Sequence, residues 1–248
     1  MRFLFILFLF LINAAQAQSR APLQTDLPLP YLVQADGAAR DRPLIIFLHG
    51  YGSNEADLFG MKGQFSDRYT YLSVRAPLVV GPQSYQWFRN IGSGSDYNGD
   101  PADVKNSEAL LLDFIVKATE KFHTRADRVV LIGFSQGAIM SYQLGLDHPE
   151  AVRGIAALSG RILPPLAASV SGTNKPANKL KNLSVFIGHG MSDQRLPYDG
   201  AVAADALLKK TGLQPDFLSY FGMGHAVSAR ETNDVDAWLE NTLGKQEK

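Results

Sequence analysis

Cysteine is absent from the chain. That excludes a disulfide framework, a thiolate zinc or iron–sulfur site, a thiol nucleophile and a lipid-modified cysteine anchor, so stability has to come from the core. Net charge is absent too. The 24 Lys and Arg balance the 24 Asp and Glu, the signs are interspersed, and no basic stripe offers a surface for nucleic acid or an anionic membrane. The only run of apolar residues that could be mistaken for a membrane span is residues 3–12, preceded by Arg2 and followed by Ala15 and Ala17 in an A-x-A arrangement. It falls short of the roughly 20 residues that cross a bilayer, and the pattern is that of a secretory signal cleaved after Ala17. The expectation is an exported chain, periplasmic or secreted, without a stable membrane anchor once residues 1–17 are removed. Residues 18–248 are expected to fold as one domain.

What is present is apolar material, 46% of 248 residues, enough for one sizeable core. Residues 42–48 (RPLIIFL), 69–77 (YTYLSVRAP) and 128–134 (RVVLIGF) are continuous apolar runs of the kind buried on both faces of a sheet. Residues 153–160, 183–190 and 216–224 repeat the theme, and residues 30–36 (PYLVQAD) suit a short edge strand. Helical patterns lie between them. The clearest opens at Asp100-Pro101, an N-cap followed by proline at the first helical position. It carries Leu111, Ile115, Ala118 and Phe122 on one face. Further helices are predicted at 136–146, 200–210 and 232–243. Buried strands alternating with helices give the fold class α/β, with a mostly parallel, doubly wound sheet flanked by helices. In such sheets reactive groups collect beyond the C-terminal strand ends. Residues 159–183 are too few for a large cap domain, so an open cleft is predicted. Residues 171–179 (SGTNKPANK) read as a surface loop.

One of those strand ends carries GFSQG, with Ser135 between Gly133 and Gly137. The pattern alone is weak, arising by chance in roughly one chain in ten of this length. Here an apolar strand runs into it and a helix-forming stretch follows, the setting of a nucleophile elbow. A serine hydroxyl needs a base, and the base an orienting carboxylate. Of five histidines, His123 and His148 fall near helix C-termini, and His49 and His189 follow strands as candidates for ordering loops. His225 lies beyond the last strand, and Asp193 beyond the one before it. Ser135, Asp193 and His225 thus occur in the chain order Ser, Asp, His. Backbone N–H groups of Gln136, after the serine, and Tyr51, in the loop HGYG, are the candidates for holding an oxyanion.

Four segments, FLHGYGSNEADL, GFSQGAIMS, HGMSDQRLP and FGMGHAVS, occur in this order over residues 40–240 and together resemble the phospholipase/carboxylesterase family, relatives of the acyl-protein thioesterases. The resemblance implies an α/β-hydrolase fold and hydrolysis of esters or thioesters without metal or cofactor. In it Ser135, Asp193 and His225 match the triad motifs, and Tyr51 and Gln136 the oxyanion positions. The chain departs from the family at Tyr51, where leucine is frequent, and at Trp87-Phe88-Arg89, where the third residue is usually aspartate. Trp87, Phe88, Leu163 and Met191 are candidates for an apolar acyl pocket, and each also reads as core. The expected partner is a small-molecule ester. Thioesterase, lysophospholipase, polyester or feruloyl-type esterase and serine peptidase readings share the same triad. A catalytically silent binding protein is the non-enzyme alternative.

Overall fold

The structure, a computed structural model, describes residues 21–35, 41–92, 97–172 and 179–244. The signal reading of residues 1–17 lies outside these segments, as do parts of the glycine-rich stretch 90–100 and of the loop 171–179. Eleven strands are described: β1 (Tyr31–Gln34), β2 (Leu44–Leu48), β3 (Thr70–Val74), β4 (Leu78–Gly81), β5 (Ser84–Gln86), β6 (Asn90–Ile91), β7 (Asn98–Gly99), β8 (Val129–Phe134), β9 (Gly154–Leu158), β10 (Ser184–Gly190) and β11 (Asp216–Tyr220). Five α-helices accompany them: α1 (Pro101–Lys121), α2 (Gln136–Asp147), α3 (Pro164–Ser171), α4 (Asp199–Lys210) and α5 (Ala229–Leu243).

Seven strands form one sheet in the order β1-β3-β2-β8-β9-β10-β11. Only β1, at one edge, runs antiparallel; its partner is β3. The remaining pairings are parallel, with β2 between β3 and β8 and β9 between β8 and β10.

Alternation along each central strand divides the core into two layers. Leu44, Ile46 and Leu48 of β2 point into a cluster with Leu111, Phe114 and Ile115 of α1 and Ile139 and Met140 of α2. Ile45 and Phe47 point the other way, into a cluster with Val235, Trp238 and Leu239 of α5. All five β2 residues are wholly buried, each leucine or isoleucine contributing about 2 kcal/mol of transfer free energy. The helix predicted at Asp100-Pro101 begins there, the Asp100 carboxylate accepting from the N–H groups of Ala102 and Asp103. Its face is as predicted at Leu111, Ile115 and Ala118, while Phe122 is the C-cap.

Several features were not predicted, three of them large. A 3-10 helix (Leu58–Gln64) follows the loop after β2, a hairpin pairs β4 with β5, and α3 occupies part of the connection between β9 and β10.

Candidate active site

Ser135 joins β8 to α2 with φ 55° and ψ −116°, a left-handed backbone that an L-residue adopts only under strain. The turn is tight because helix and sheet almost touch. A methyl group on Gly133 would lie 2.2 Å from the Gly137 carbonyl oxygen, and one on Gly137 would lie 1.9 Å from that of Leu48. Any larger side chain at either position would push α2 off the sheet and move the serine with it.

The Ser135 hydroxyl lies 2.8 Å from His225 Nε2, and His225 Nδ1 lies 2.7 Å from Asp193 Oδ2. Three loops from β8, β10 and β11 thus bring into one hydrogen-bonded line the residues that the sequence places far apart. Asp193 is buried at its side chain, and its second oxygen is occupied. Oδ1 accepts from the backbone N–H groups of Arg195 (2.8 Å) and Leu196 (3.0 Å). The Phe134 ring lies tilted against His225, centroids 4.9 Å apart. A hydroxyl, an imidazole that can take its proton and a buried carboxylate that orients the imidazole are the parts a serine nucleophile needs.

Tyr51 and Gln136 supply backbone rather than side-chain chemistry to the same place. The Gln136 N–H opens α2 and has no intrahelical acceptor, and the Tyr51 N–H donates to no described group. Gly50 brings the loop close: a methyl there would lie 3.3 Å from Ser135 Cβ. The cleft over Ser135 measures about 230 Å³, with Tyr51, Asn90, Tyr97, Phe134 and Arg195 among its walls. A second hollow of about 390 Å³ lies beside His225, lined by Leu58, Met61, Phe134 and Val227.

None of the four acyl-pocket candidates lines either space. Trp87 and Phe88 are completely buried. The Trp87 indole N–H donates to the His49 carbonyl (2.9 Å) and the Trp87 N–H to Gln136 Oε1 (2.8 Å), so the ring braces the cleft from beneath. Leu163 lines a separate groove between α1, α2 and α3, and Met191 projects outward, 49% exposed. Arg89 turns away to the start of α1, its guanidinium bonded to both oxygens of Asp103 at 2.7 and 3.1 Å.

Residues 31–243 match the family model described as Phospholipase/Carboxylesterase. The acyl-protein thioesterase 1 of Neurospora crassa is 30% identical over 231 residues, which cover 87% of this chain and 92% of that protein. The chain belongs to the phospholipase/carboxylesterase family. Its members are serine hydrolases with the α/β-hydrolase fold, and the sheet described above is that fold. Carboxylesterase SOBER1 of Arabidopsis thaliana is similar at 26% identity over 82% of this chain and 91% of that protein. Among solved structures, a carboxylesterase from Mesorhizobium loti superposes with a TM-score of 0.73 at 22% identity, covering 88% of this chain and 98% of that one.

Sequence reasoning about this family member missed the walls of the cleft. Asn90 Oδ1 accepts from the Gln136 side-chain amide (2.9 Å) and from the Tyr97 hydroxyl (2.7 Å), and burial pushes that phenol up to about 12. Asn90 and Tyr97 lie in a polar, glycine-rich stretch whose spacing gives no sign of which residues turn inward. Arg195 stands two residues from Asp193, which in hindsight was the signal available.

Proposed function

We propose that the chain is an exported carboxylesterase whose nucleophile, base and orienting acid are Ser135, His225 and Asp193. The observation that carries this reading is the Asp193–His225–Ser135 line of hydrogen bonds at 2.7 and 2.8 Å. His225 Nε2 accepts the Ser135 proton as the hydroxyl oxygen attacks the ester carbonyl carbon, while Asp193 holds the proton-bearing Nδ1 in place and stabilises the positive ring. The N–H groups of Tyr51 and Gln136 hold the oxyanion, each such donor lowering the barrier by about 3 kcal/mol. The tetrahedral intermediate collapses, the ester C–O bond breaks, and the leaving alkoxide takes the proton from His225 Nε2. Water then attacks the acyl-serine with His225 again as base, releasing the acid and restoring the serine hydroxyl.

The hollow beside His225 has mixed walls, with Leu58, Met61 and Val227 beside Asp57, Gln64 and Ser228, and this supports an ester with a short hydrocarbon portion next to a polar group. Thioester hydrolysis is the second reading, favoured by the 30% identity to an acyl-protein thioesterase, and it uses the same acyl-enzyme. Export rests on the pattern of residues 1–17.

One experiment tests the whole reading. The full chain is expressed, its mass is measured outside the cytoplasm, and the recovered protein is given p-nitrophenyl esters and acyl thioesters of increasing length beside Ser135→Ala. The expected result is a chain beginning at residue 18 that turns over esters, with turnover lost in the variant. Activity that survives Ser135→Ala would sink the mechanism, and retention of residues 1–17 inside the cell would sink export.

A further inference from the structure

His189 is the penultimate residue of β10, 1% exposed, and no step above uses it. Its Nε2 lies 2.8 Å from the Leu196 carbonyl oxygen and 3.3 Å from Asp193 Oδ2, the same oxygen that receives the His225 Nδ1 proton. Two acceptors facing one nitrogen require that nitrogen to carry a proton. Burial holds the imidazole below its ordinary value, against the pull of the Leu196 carbonyl and the Asp193 charge, and His225 opposes a second positive ring. His189 is therefore a neutral ring with the proton on Nε2. Its other nitrogen, Nδ1, is buried with no partner among the described residues.

That orphan is informative. A histidine kept only to fill space would be better replaced by an apolar side chain, because an unpaired buried nitrogen is costly. Here the cost is borne for one N–H. It closes a ring of contacts: His189 Nε2–H to the Leu196 carbonyl, Leu196 N–H to Asp193 Oδ1 at 3.0 Å, and Arg195 N–H to the same oxygen at 2.8 Å. The end of β10 thereby fixes both ends of the turn that presents the carboxylate. The positive end of the N–H dipole also faces Oδ2.

We propose that His189 is a positioning residue for Asp193, holding the carboxylate so that Oδ2 stays on the His225 Nδ1–H. This rests on the triad reading of Ser135, His225 and Asp193. Replacing the N–H with an apolar group frees the Leu196 carbonyl and lets the 193–196 turn move. The orientation of His225 is then lost while Asn90, Tyr97 and Phe134, the cleft walls outside that turn, keep their places, so kcat falls far more than KM changes.

The test uses the mature enzyme and a p-nitrophenyl ester, with folded fraction followed by circular dichroism. Gln is the conservative replacement, since its amide nitrogen is as many bonds from Cα as Nε2. His189→Leu is expected to lose roughly 10- to 100-fold in kcat per folded molecule with KM within about twofold. His189→Gln is expected to stay within about threefold of wild type in both. Equal losses in the two variants, or losses that only track the folded fraction, would overturn the inference. Should His189→Leu not fold, nitrogen-15 histidine spectra of the wild type at pH 8 decide: a neutral Nε2–H ring is expected, and an Nδ1–H tautomer or a charged ring would overturn it. A wild-type enzyme indifferent to Ser135→Ala would instead refute the triad reading on which this one stands.

Discussion

Two strands on opposite sides of β8, β2 beside it and β10 beyond β9, run into the same dipeptide, His49-Gly50 after β2 and His189-Gly190 at the end of β10, yet the two histidines are held in opposite ways. His49 has both nitrogens matched: Nδ1 donates to the Gly50 carbonyl at 2.7 Å, and Nε2 accepts from the Ala76 N–H at 3.1 Å. His189 carries its proton on the other nitrogen and leaves Nδ1 alone. The buried carboxyls behind each flank differ in the same sense. Glu55, beside the β2 loop, receives a two-pronged bond from Arg75 at 2.6 Å each; burial alone would push it up, but Arg75 holds it below its ordinary value. Glu231, packed against β10 so closely that a methyl on Gly188 would lie 2.2 Å from Oε1, has no described partner on either oxygen, and burial pushes it up to about 8. The β2 flank, which offers backbone N–H groups, has its histidine and its carboxyl both satisfied. The β10 flank, which offers a charged side chain, carries unsatisfied polar groups, as strained or functional regions do.

The largest effect separating the flanks should come from Asp193→Asn. The variant keeps the size of the side chain but can present an amide to His225 Nδ1, favouring the wrong tautomer, and kcat is expected to fall about 10⁴-fold with the fold intact. Measured kcat with folding checked by circular dichroism decides this; a loss under tenfold would mean that the β10 flank does not deliver its function through this carboxylate.

Next in size is Glu231→Gln, read by denaturant unfolding across pH. A carboxyl at about 8 in the fold and near 4.5 when unfolded keeps its proton in the native state while the unfolded chain gives it up. Native stability therefore declines as pH rises from about 4.5 to about 8 and is level above that as far as this group is concerned. Gln removes the decline. The variant should match wild type near pH 4.5 and exceed it by roughly 4 to 5 kcal/mol at pH 9. Equal stability at pH 9 would mean that Glu231 finds a partner, and the contrast with Glu55 would disappear.

How much of this was legible in the sequence depended on whether the signal was local. Ser135, Gly133 and Gly137 were readable because strand, turn and helix follow one another within a dozen residues. Asp193 and His225 were readable because strand ends of a parallel sheet share one side, so position after a strand substitutes for distance. Trp87 and Phe88 were not, since an aromatic beyond a strand end is equally suited to lining a cleft or supporting it, and only the pairing of Tyr85 in β5 with the loop at Gly52 and Ser53 decides. Glu231 misleads in the same way. Ser228-x-x-Glu231 has the spacing of a reciprocal helix cap, and the Ser228 hydroxyl does accept from the Glu231 N–H at 3.1 Å, but the carboxyl turns inward to Gly188 rather than closing the cap.

The smallest effect, and the most direct test of the paired histidines, is His49→Leu. Losing the ring leaves the Ala76 N–H and the Gly50 carbonyl without their partner in a buried place, which costs about 2 kcal/mol of stability. Because the loop also keeps the Trp87 contact and the Glu55–Arg75 pair, Tyr51 should keep its place, and kcat per folded molecule should stay within about tenfold. The loss also has a pH signature. Burial holds His49 below its ordinary value of 6.5, so in wild type the unfolded chain takes up a proton that the fold refuses as pH falls below about 6.5, and stability drops. The leucine variant lacks that drop, and its deficit should narrow between pH 7 and pH 5. A deficit that stays constant, or a kcat loss as deep as that of His189→Leu, would show that the two His-Gly corners do the same work after all.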